Sequence, residues 1–106
     1  MWVCLNDAFL SIVAHRDDAE VLLVRARRRG DIERAFPTAI VKETPTADYR
    51  FRTELPRQVV AETLAQRVSG IDYPNFKSSV AEDERHDAYL GCWAVMSGWQ
   101  ESAEGV

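Results

Sequence analysis

Four arginines at alternate positions of two predicted strands are the residues best suited to chemistry in this sequence. Arg25 and Arg27 alternate in the run VLLVRAR, and Arg50 and Arg52 alternate in YRFRTEL. Because side chains alternate across a strand, each pair lies on one face, and guanidinium groups bind phosphates and carboxylates through paired hydrogen bonds. If both strands belong to one sheet, the four arginines, extended by the two that follow Arg27, predict an anion-binding patch. The alternative is a solvated sheet face balanced by nearby acids: Glu20, Glu43, Asp48 and Glu54.

The opposite charge pattern lies in residues 82–87, at the start of the last predicted helix. Its members are all carboxylates: Glu82, Asp83, Glu84 and Asp87. Acids in a first turn stabilise the helix dipole, which explains most of this pattern. Four acids in six positions exceed what capping requires, so an acidic surface that binds a protein partner is a further hypothesis.

The far half of the same predicted helix carries large apolar side chains at helical spacing: Tyr89, Trp93, Met96 and Trp99. Such stripes usually belong to a core, and this is the first expectation. The same residue types are enriched at interfaces, so a homodimer face is the alternative. Gly91 and Gly98 lie within the predicted helix and would permit another backbone to approach closely.

Catalytic and cofactor motifs are missing from the sequence. It has no glycine-rich phosphate loop, GxSxG, paired CxxC or HExxH. Glu82 and His86 have the spacing of cation ligands, but one helical turn supplies too few of them, and we expect no metal site. We expect Cys4 and Cys92 to be buried free thiols. These features favour a non-enzymatic protein without a cofactor.

Length, composition and charge set further limits. The chain has 106 residues, of which 46% are apolar and 28% charged, as in globular proteins. We expect one α+β domain over residues 1–100 and a frayed tail over 101–106. The net charge is −4, with residues 54–106 carrying four basic and nine acidic side chains. This balance disfavours direct nucleic-acid binding and favours a protein partner. Two unpaired cysteines and the lack of an export signal or long apolar run predict a cytoplasmic protein without a membrane span.

The strands that must position the arginines are indicated by β-branched and aromatic runs. They are Trp2–Leu5 and Ala8–Ala14 (one broken strand or two short ones), Val21–Arg27, a brief Ala39–Val41, and Tyr49–Leu55. In the last run, strict alternation predicts one buried face: Tyr49, Phe51, Thr53 and Leu55.

Three helices complete the predicted elements. A short one is started by Asp31, as an N-cap or a first-turn acid, and stops before Pro37. A second begins at Pro56, buries Val60, Leu64 and Val68, and ends at a left-handed Gly70. The third runs from a capping box at Ser79 and Glu82, with Ser78 as an alternative cap, to Gln100. The order predicts a two-layer α+β sandwich: an antiparallel sheet of about four strands, ferredoxin-like or related, with helices packed on one face.

The segments LNDAFLSIVAHR, DYRFR, DYPNFKSSV and RHDAYLGCW resemble a family of short bacterial proteins with no assigned activity. The resemblance covers most of residues 1–96 and implies no site residue or cofactor. Small acidic proteins of this size include inhibitors made by phages and mobile elements, among them anti-CRISPR proteins. Three hypotheses result: an inhibitor that blocks a basic nucleic-acid-binding protein through its acidic surface, a domain that binds a small anion through its arginines, and a homodimeric scaffold.

Overall fold

The computed structural model describes residues 1–103. Contacts between Cα atoms divide the chain into two compact units, one from Met1 to Asp72 and one that begins at Tyr73. Each unit is described by itself below. The expectation of one domain over residues 1–100 stays a prediction.

The first unit contains a five-stranded antiparallel sheet. Its strands are β1 (Trp2–Leu5), β2 (Ala8–Ala14), β3 (Val21–Ala26), β4 (Lys42–Glu43) and β5 (Phe51–Pro56), in the spatial order β1-β2-β3-β5-β4. The helices of this unit are α1 (Asp31–Ala35) and α2 (Arg57–Ser69). The predicted α+β class and antiparallel sheet are confirmed.

Two strands, rather than one broken strand, form the beginning of the chain. Leu5 lies opposite Ala8 and Val3 opposite Leu10, so Asn6 and Asp7 form a two-residue turn between β1 and β2. Asparagine and aspartate tolerate the tight backbone of such turns. The sheet therefore has five strands rather than about four, because residues 2–14 form a hairpin of two strands.

One face of the sheet packs on α1 and α2. Leu10, Val24 and Phe51 from three neighbouring strands are buried with Ile32 of α1 and Val60 of α2. Alternation along each strand brings these residues to the same side, and together they form the hydrophobic core of the first unit.

A buried carboxylate connects α1 to β2. Asp31 is fully buried, accepts a hydrogen bond from the backbone N–H of Phe9 at 2.9 Å and pairs with Arg34 at 2.8 Å. Gly30 precedes it with a positive φ of 92°, a conformation that favours glycine. Asp31 is thus a first-turn acid, one of the two roles that the sequence offered for it.

The end of α2 differs from the prediction. Gly70 has φ −87° and is not left-handed, because the helix ends through bonds from Gly70 N to Gln66 O and from Ile71 N to Val68 O. Val60 is buried and Leu64 half-buried, but Val68 is exposed. The predicted apolar stripe therefore packs only along its first part.

Two strand predictions were displaced. The strand expected at Ala39–Val41 is found at Lys42–Glu43, where it pairs with Phe51 and Arg52. Tyr49 does not share the face of Phe51: β5 begins only at Phe51, and the Tyr49 ring contacts Arg25 and Arg27 instead. The period-two pattern fails there because Tyr49 precedes the extended segment.

The second unit consists of a short 3₁₀ turn (Lys77–Ser79) and the long helix α3 (Asp83–Ala103). The predicted capping box is wrong, because Ser79 Oγ donates to Phe76 O at 2.5 Å and Val80 is extended. Helical bonding starts with His86 N donating to Glu82 O. At its other end α3 continues past Gln100 to Ala103, and residues 104–106 of the predicted tail lie outside the described residues.

Candidate binding surfaces

Side chains from all five strands meet in one line across the sheet face opposite α1 and α2. Each residue lies directly opposite the next in the strand register: Trp2, Ser11, Arg25, Arg52 and Lys42. Directly opposed residues of antiparallel strands share a face, with Cβ atoms about 5 Å apart. We call these five residues the cross-sheet row. It places an aromatic ring at one end and three cations at the other.

The cations of the cross-sheet row have few polar partners. Arg25 Nη2 donates to Ser11 Oγ at 2.7 Å, and Arg52 Nη2 to Tyr49 O at 3.4 Å. The Nε–H groups of both arginines are buried and have no acceptor within residues 1–103. None of the three cations forms an ion pair with a carboxylate of the described chain. Like charges thus stand opposite one another without a counterion.

The other arginines of the predicted patch are already engaged. Arg27 donates to Asp48 at 3.2 Å and lies over the Tyr49 ring, 4.2 Å from its centroid. Arg50 lies 3.5 Å from Glu43, which also accepts from Arg29 at 3.0 Å. The structure therefore divides the predicted group of four: Arg25 and Arg52 come together, whereas Arg27 and Arg50 form surface ion pairs.

An open groove lies beside the row, along the part of β5 that β4 does not cover. It has a volume of about 680 Å³ and is lined by Ile40, Lys42, Arg52 and Leu55, among others. The groove exists because β4 is only two residues long, so one edge of β5 beyond Arg52 has no strand neighbour.

The acidic residues predicted at the start of α3 are all exposed. They comprise Glu82, just before the helix, and Asp83, Glu84 and Asp87 within it. Glu82 lies 3.4 Å from Arg85, and Asp87 lies 3.8 Å from His86 Nδ1. Their placement agrees with a role in helix capping and leaves their carboxylates on the surface.

The far half of α3 is apolar and exposed. Its large side chains are between 41% and 71% exposed: Leu90, Trp93, Val95, Met96 and Trp99. The expectation that this stripe is core is wrong for Trp93, Met96 and Trp99. Tyr89 differs from them, since it is buried and stacks on Phe76 with ring centroids 5.5 Å apart.

Two glycines leave space beside this apolar half. An added Cβ at Gly91 or Gly98 would meet nothing within 4 Å. The two lie seven residues apart, about two helical turns, and therefore on the same side of the helix. Lys77 Nζ lies 4.3 Å from the Trp93 ring centroid and is a cation contact of this surface.

No family model, curated protein or solved structure matches this chain. The assignment of function therefore depends on the three surfaces just described: the cross-sheet row, the acidic start of α3 and its apolar far half. In the described part of the chain, no three His, Cys, Asp or Glu side chains are grouped as metal ligands. Nor does any helix within residues 1–103 have the length and apolar character needed to cross a membrane.

The remaining side chains that the sequence analysis considered for chemistry are the two thiols and His86. Neither Cys4 nor Cys92 forms a disulfide and both are exposed, so the expectation that they are buried is wrong. Cys4 lies on the edge strand β1 and Cys92 on the exposed half of α3. His86 is half-buried, and its Nδ1 lies 3.8 Å from the carboxylate of Asp87.

Sequence reasoning missed Trp2, Ser11 and Lys42 as members of a site. Their positions become meaningful only through the strand register, which brings residues 2, 11, 25, 52 and 42 together. No local motif marks them. The one available signal was the alternation that placed Arg25 and Arg52 away from the core.

Proposed function

We propose that this chain is a non-enzymatic binding protein that acts as a homodimer joined through the apolar half of α3. The observation that carries the proposal is the exposure of Leu90, Trp93, Val95, Met96 and Trp99 on one helix. Monomeric proteins seldom expose contiguous apolar surface beyond a few hundred Å². A second copy would bury these side chains.

The charge pattern of α3 favours a second copy. Residues 88–100 contain no charged side chain, so two copies of this segment meet without repulsion although each chain carries −4. Trp93, Met96, Gln100 and Ala103 recur at the three- and four-residue spacing of a helix-pairing seam.

The acidic residues at the start of α3 favour an antiparallel arrangement of the two helices. If the two helices cross at Ala94, residue 83 of one copy lies about 33 Å along the axis from residue 83 of the other, at 1.5 Å per residue. That separation exceeds the ~8 Å Debye length of physiological salt. A parallel pair would instead hold the acidic first turns about 10 Å apart.

Light scattering tests the proposal with two matched variants. The wild-type chain should have twice its 12.0 kDa mass. Trp99→Glu places a charge in the interface and should give a monomer, whereas Val68→Glu should leave the dimer intact. Trp99 and Val68 are equally exposed, at 68% and 67%, so any effect of surface charge alone would appear in both. A wild-type monomer, or dimers of both variants, would refute the proposal.

A second candidate function is inhibition of a basic nucleic-acid-binding protein, as anti-CRISPR proteins do. The exposure of all four acids, Glu82, Asp83, Glu84 and Asp87, favours it. Charge reversal at Glu82, Asp83 and Asp87 should release a bound partner that Trp99→Glu retains. A partner lost with Trp99→Glu and kept after charge reversal would contradict this candidate.

We propose a cytoplasmic location for the protein under either function. Its support is that Cys4 and Cys92 are exposed and form no disulfide, and a reducing compartment keeps such thiols reduced. The resemblance to short bacterial proteins likewise stays a prediction.

A further inference from the structure

The cross-sheet row combines two kinds of side chain that bind different parts of one ligand. Trp2 is 74% exposed, and its ring meets Phe9 edge to face at 6.3 Å, which leaves indole surface open to solvent. Arg25 and Arg52 lie two and three strands away from Trp2 along the row. At about 4.8 Å per strand, these positions are about 10 and 14 Å from Trp2.

The arginine end of the row holds three cations that form no ion pair with a carboxylate of the described residues. Arg25 is opposed to Arg52, and Arg52 is opposed to Lys42 on its other side. The two buried Nε–H groups have no acceptor within residues 1–103. Buried donors are normally satisfied, and a phosphate group supplies several charged oxygens that accept from guanidinium groups in pairs. One phosphate bound on the solvent side of half-buried Arg25 and Arg52 and exposed Lys42 would screen the three cations.

Other charges on this face do not occupy the place of the anion. Glu54 shares the face two residues beyond Arg52, but it is held by His15 Nε2 at 2.9 Å. Asp48 is engaged by Arg27 at 3.2 Å. Among residues 1–103, no ion pair therefore places a carboxylate between Arg25, Arg52 and Lys42, where the anion would bind.

From these contacts we infer that the cross-sheet row binds a nucleotide, with its phosphates at Arg25, Arg52 and Lys42 and its base stacked on Trp2. Bases stack on exposed aromatic rings of sheet faces without needing a sequence-specific contact. A nucleoside diphosphate spans the distance from Trp2 to the arginines. The free nucleotide is favoured over a polymer, because a chain of net charge −4 repels a long polyanion.

The experiment follows the side-chain N–H signals of the row by two-dimensional NMR. The probes are ADP, inorganic phosphate, adenosine and a short single-stranded oligonucleotide. ADP should shift the Nε–H signals of Arg25 and Arg52 and the indole N–H of Trp2 with one saturation curve. Phosphate should shift only the arginine signals, and adenosine should bind far more weakly than ADP.

Three variants separate the two ends of the row. Arg52→Leu should weaken ADP binding about tenfold or more, the scale of lost hydrogen bonds to a charged group. Trp2→Ala should weaken ADP binding and leave phosphate binding unchanged. The matched control is Arg50→Leu, which removes an arginine outside the row that pairs with Glu43, and it should bind ADP like the wild type.

Each outcome decides the inference. No ADP shift at millimolar concentration, equal weakening by Arg50→Leu, or ADP binding no tighter than phosphate with Trp2 unaffected would overturn it. Tighter binding of the oligonucleotide than of ADP, with the same variant pattern, would support the nucleotide chemistry and identify a single strand as its source. The monomeric Trp99→Glu variant should bind ADP like the wild type, so this result is independent of the dimer.

Discussion

Replacing Arg52 by leucine should make this protein more stable, although most substitutions destabilise. Arg52 lies directly opposite two cations, Arg25 and Lys42, and its buried Nε–H has no acceptor among the described residues. Directly opposed like charges are destabilising. If each such pair costs as much as a favourable cross-strand pair contributes, roughly 0.2–1 kcal/mol, removing two should raise the free energy of unfolding by about 0.4–2 kcal/mol. Loss of the long hydrogen bond from Arg52 to Tyr49 O, at 3.4 Å, offsets little of this gain.

Urea unfolding measures this gain as a higher midpoint with an unchanged slope. Added sodium chloride should stabilise the wild type more than Arg52→Leu, since salt screens the repulsion only where it exists. Arg50→Leu is the control: it removes a surface ion pair with Glu43 and should lower stability by no more than about 1 kcal/mol. A destabilised Arg52→Leu, or a salt effect equal in the two proteins, would refute the view that the row is strained by its own charge.

Three further predictions concern the first unit and α3. Asp31→Ala should lower the free energy of unfolding by about 1–3 kcal/mol, because it removes the buried acceptor of the Phe9 N–H and the partner of Arg34. Exposed Glu33→Ala on the same helix should change it by less than about 0.5 kcal/mol in urea unfolding. Gly30→Ala should cost about 1–2 kcal/mol at its positive φ, and Gly98→Ala, in open space, should gain up to about 1 kcal/mol, both read from thermal melts. Ile32→Ala should cost about 2–5 kcal/mol in the same melts, since Ile32 is fully buried in the core. Equal effects of either matched pair would contradict the corresponding argument.

The sequence predicted the sheet well where local chemistry decides it. Alternation in Phe51, Thr53 and Leu55 identified the core face of β5, and β-branched and aromatic runs located β1, β2 and β3. These features depend on neighbours in sequence, so a single sequence contains them.

What the sequence did not predict depends on distant residues. The capping box at Ser79 failed because Ser79 bonds to Phe76 in a turn that precedes the helix. Tyr49 left the core face because β5 starts after it. Local patterns cannot report such competition between alternative partners.

The two surfaces illustrate the same limit. Arg25 and Arg52 were recognised as candidates, but their meeting with Lys42 and Trp2 is a consequence of register across five strands. The aromatic half of α3 was expected to be core because helical spacing of Trp and Met is the same in a core and in an interface. Only the exposure of Trp93, Met96 and Trp99 separates the two.

Spin-label distance measurement tests the antiparallel dimer most directly. A label at Asp83→Cys, with Cys4 and Cys92 replaced by serine, reports the separation of the two acidic first turns. An antiparallel pair that crosses at Ala94 predicts a distance whose axial component is about 33 Å. A distance near 10 Å would indicate a parallel pair, and the absence of any intermolecular distance at concentrations where the chain is labelled and folded would contradict self-association through α3.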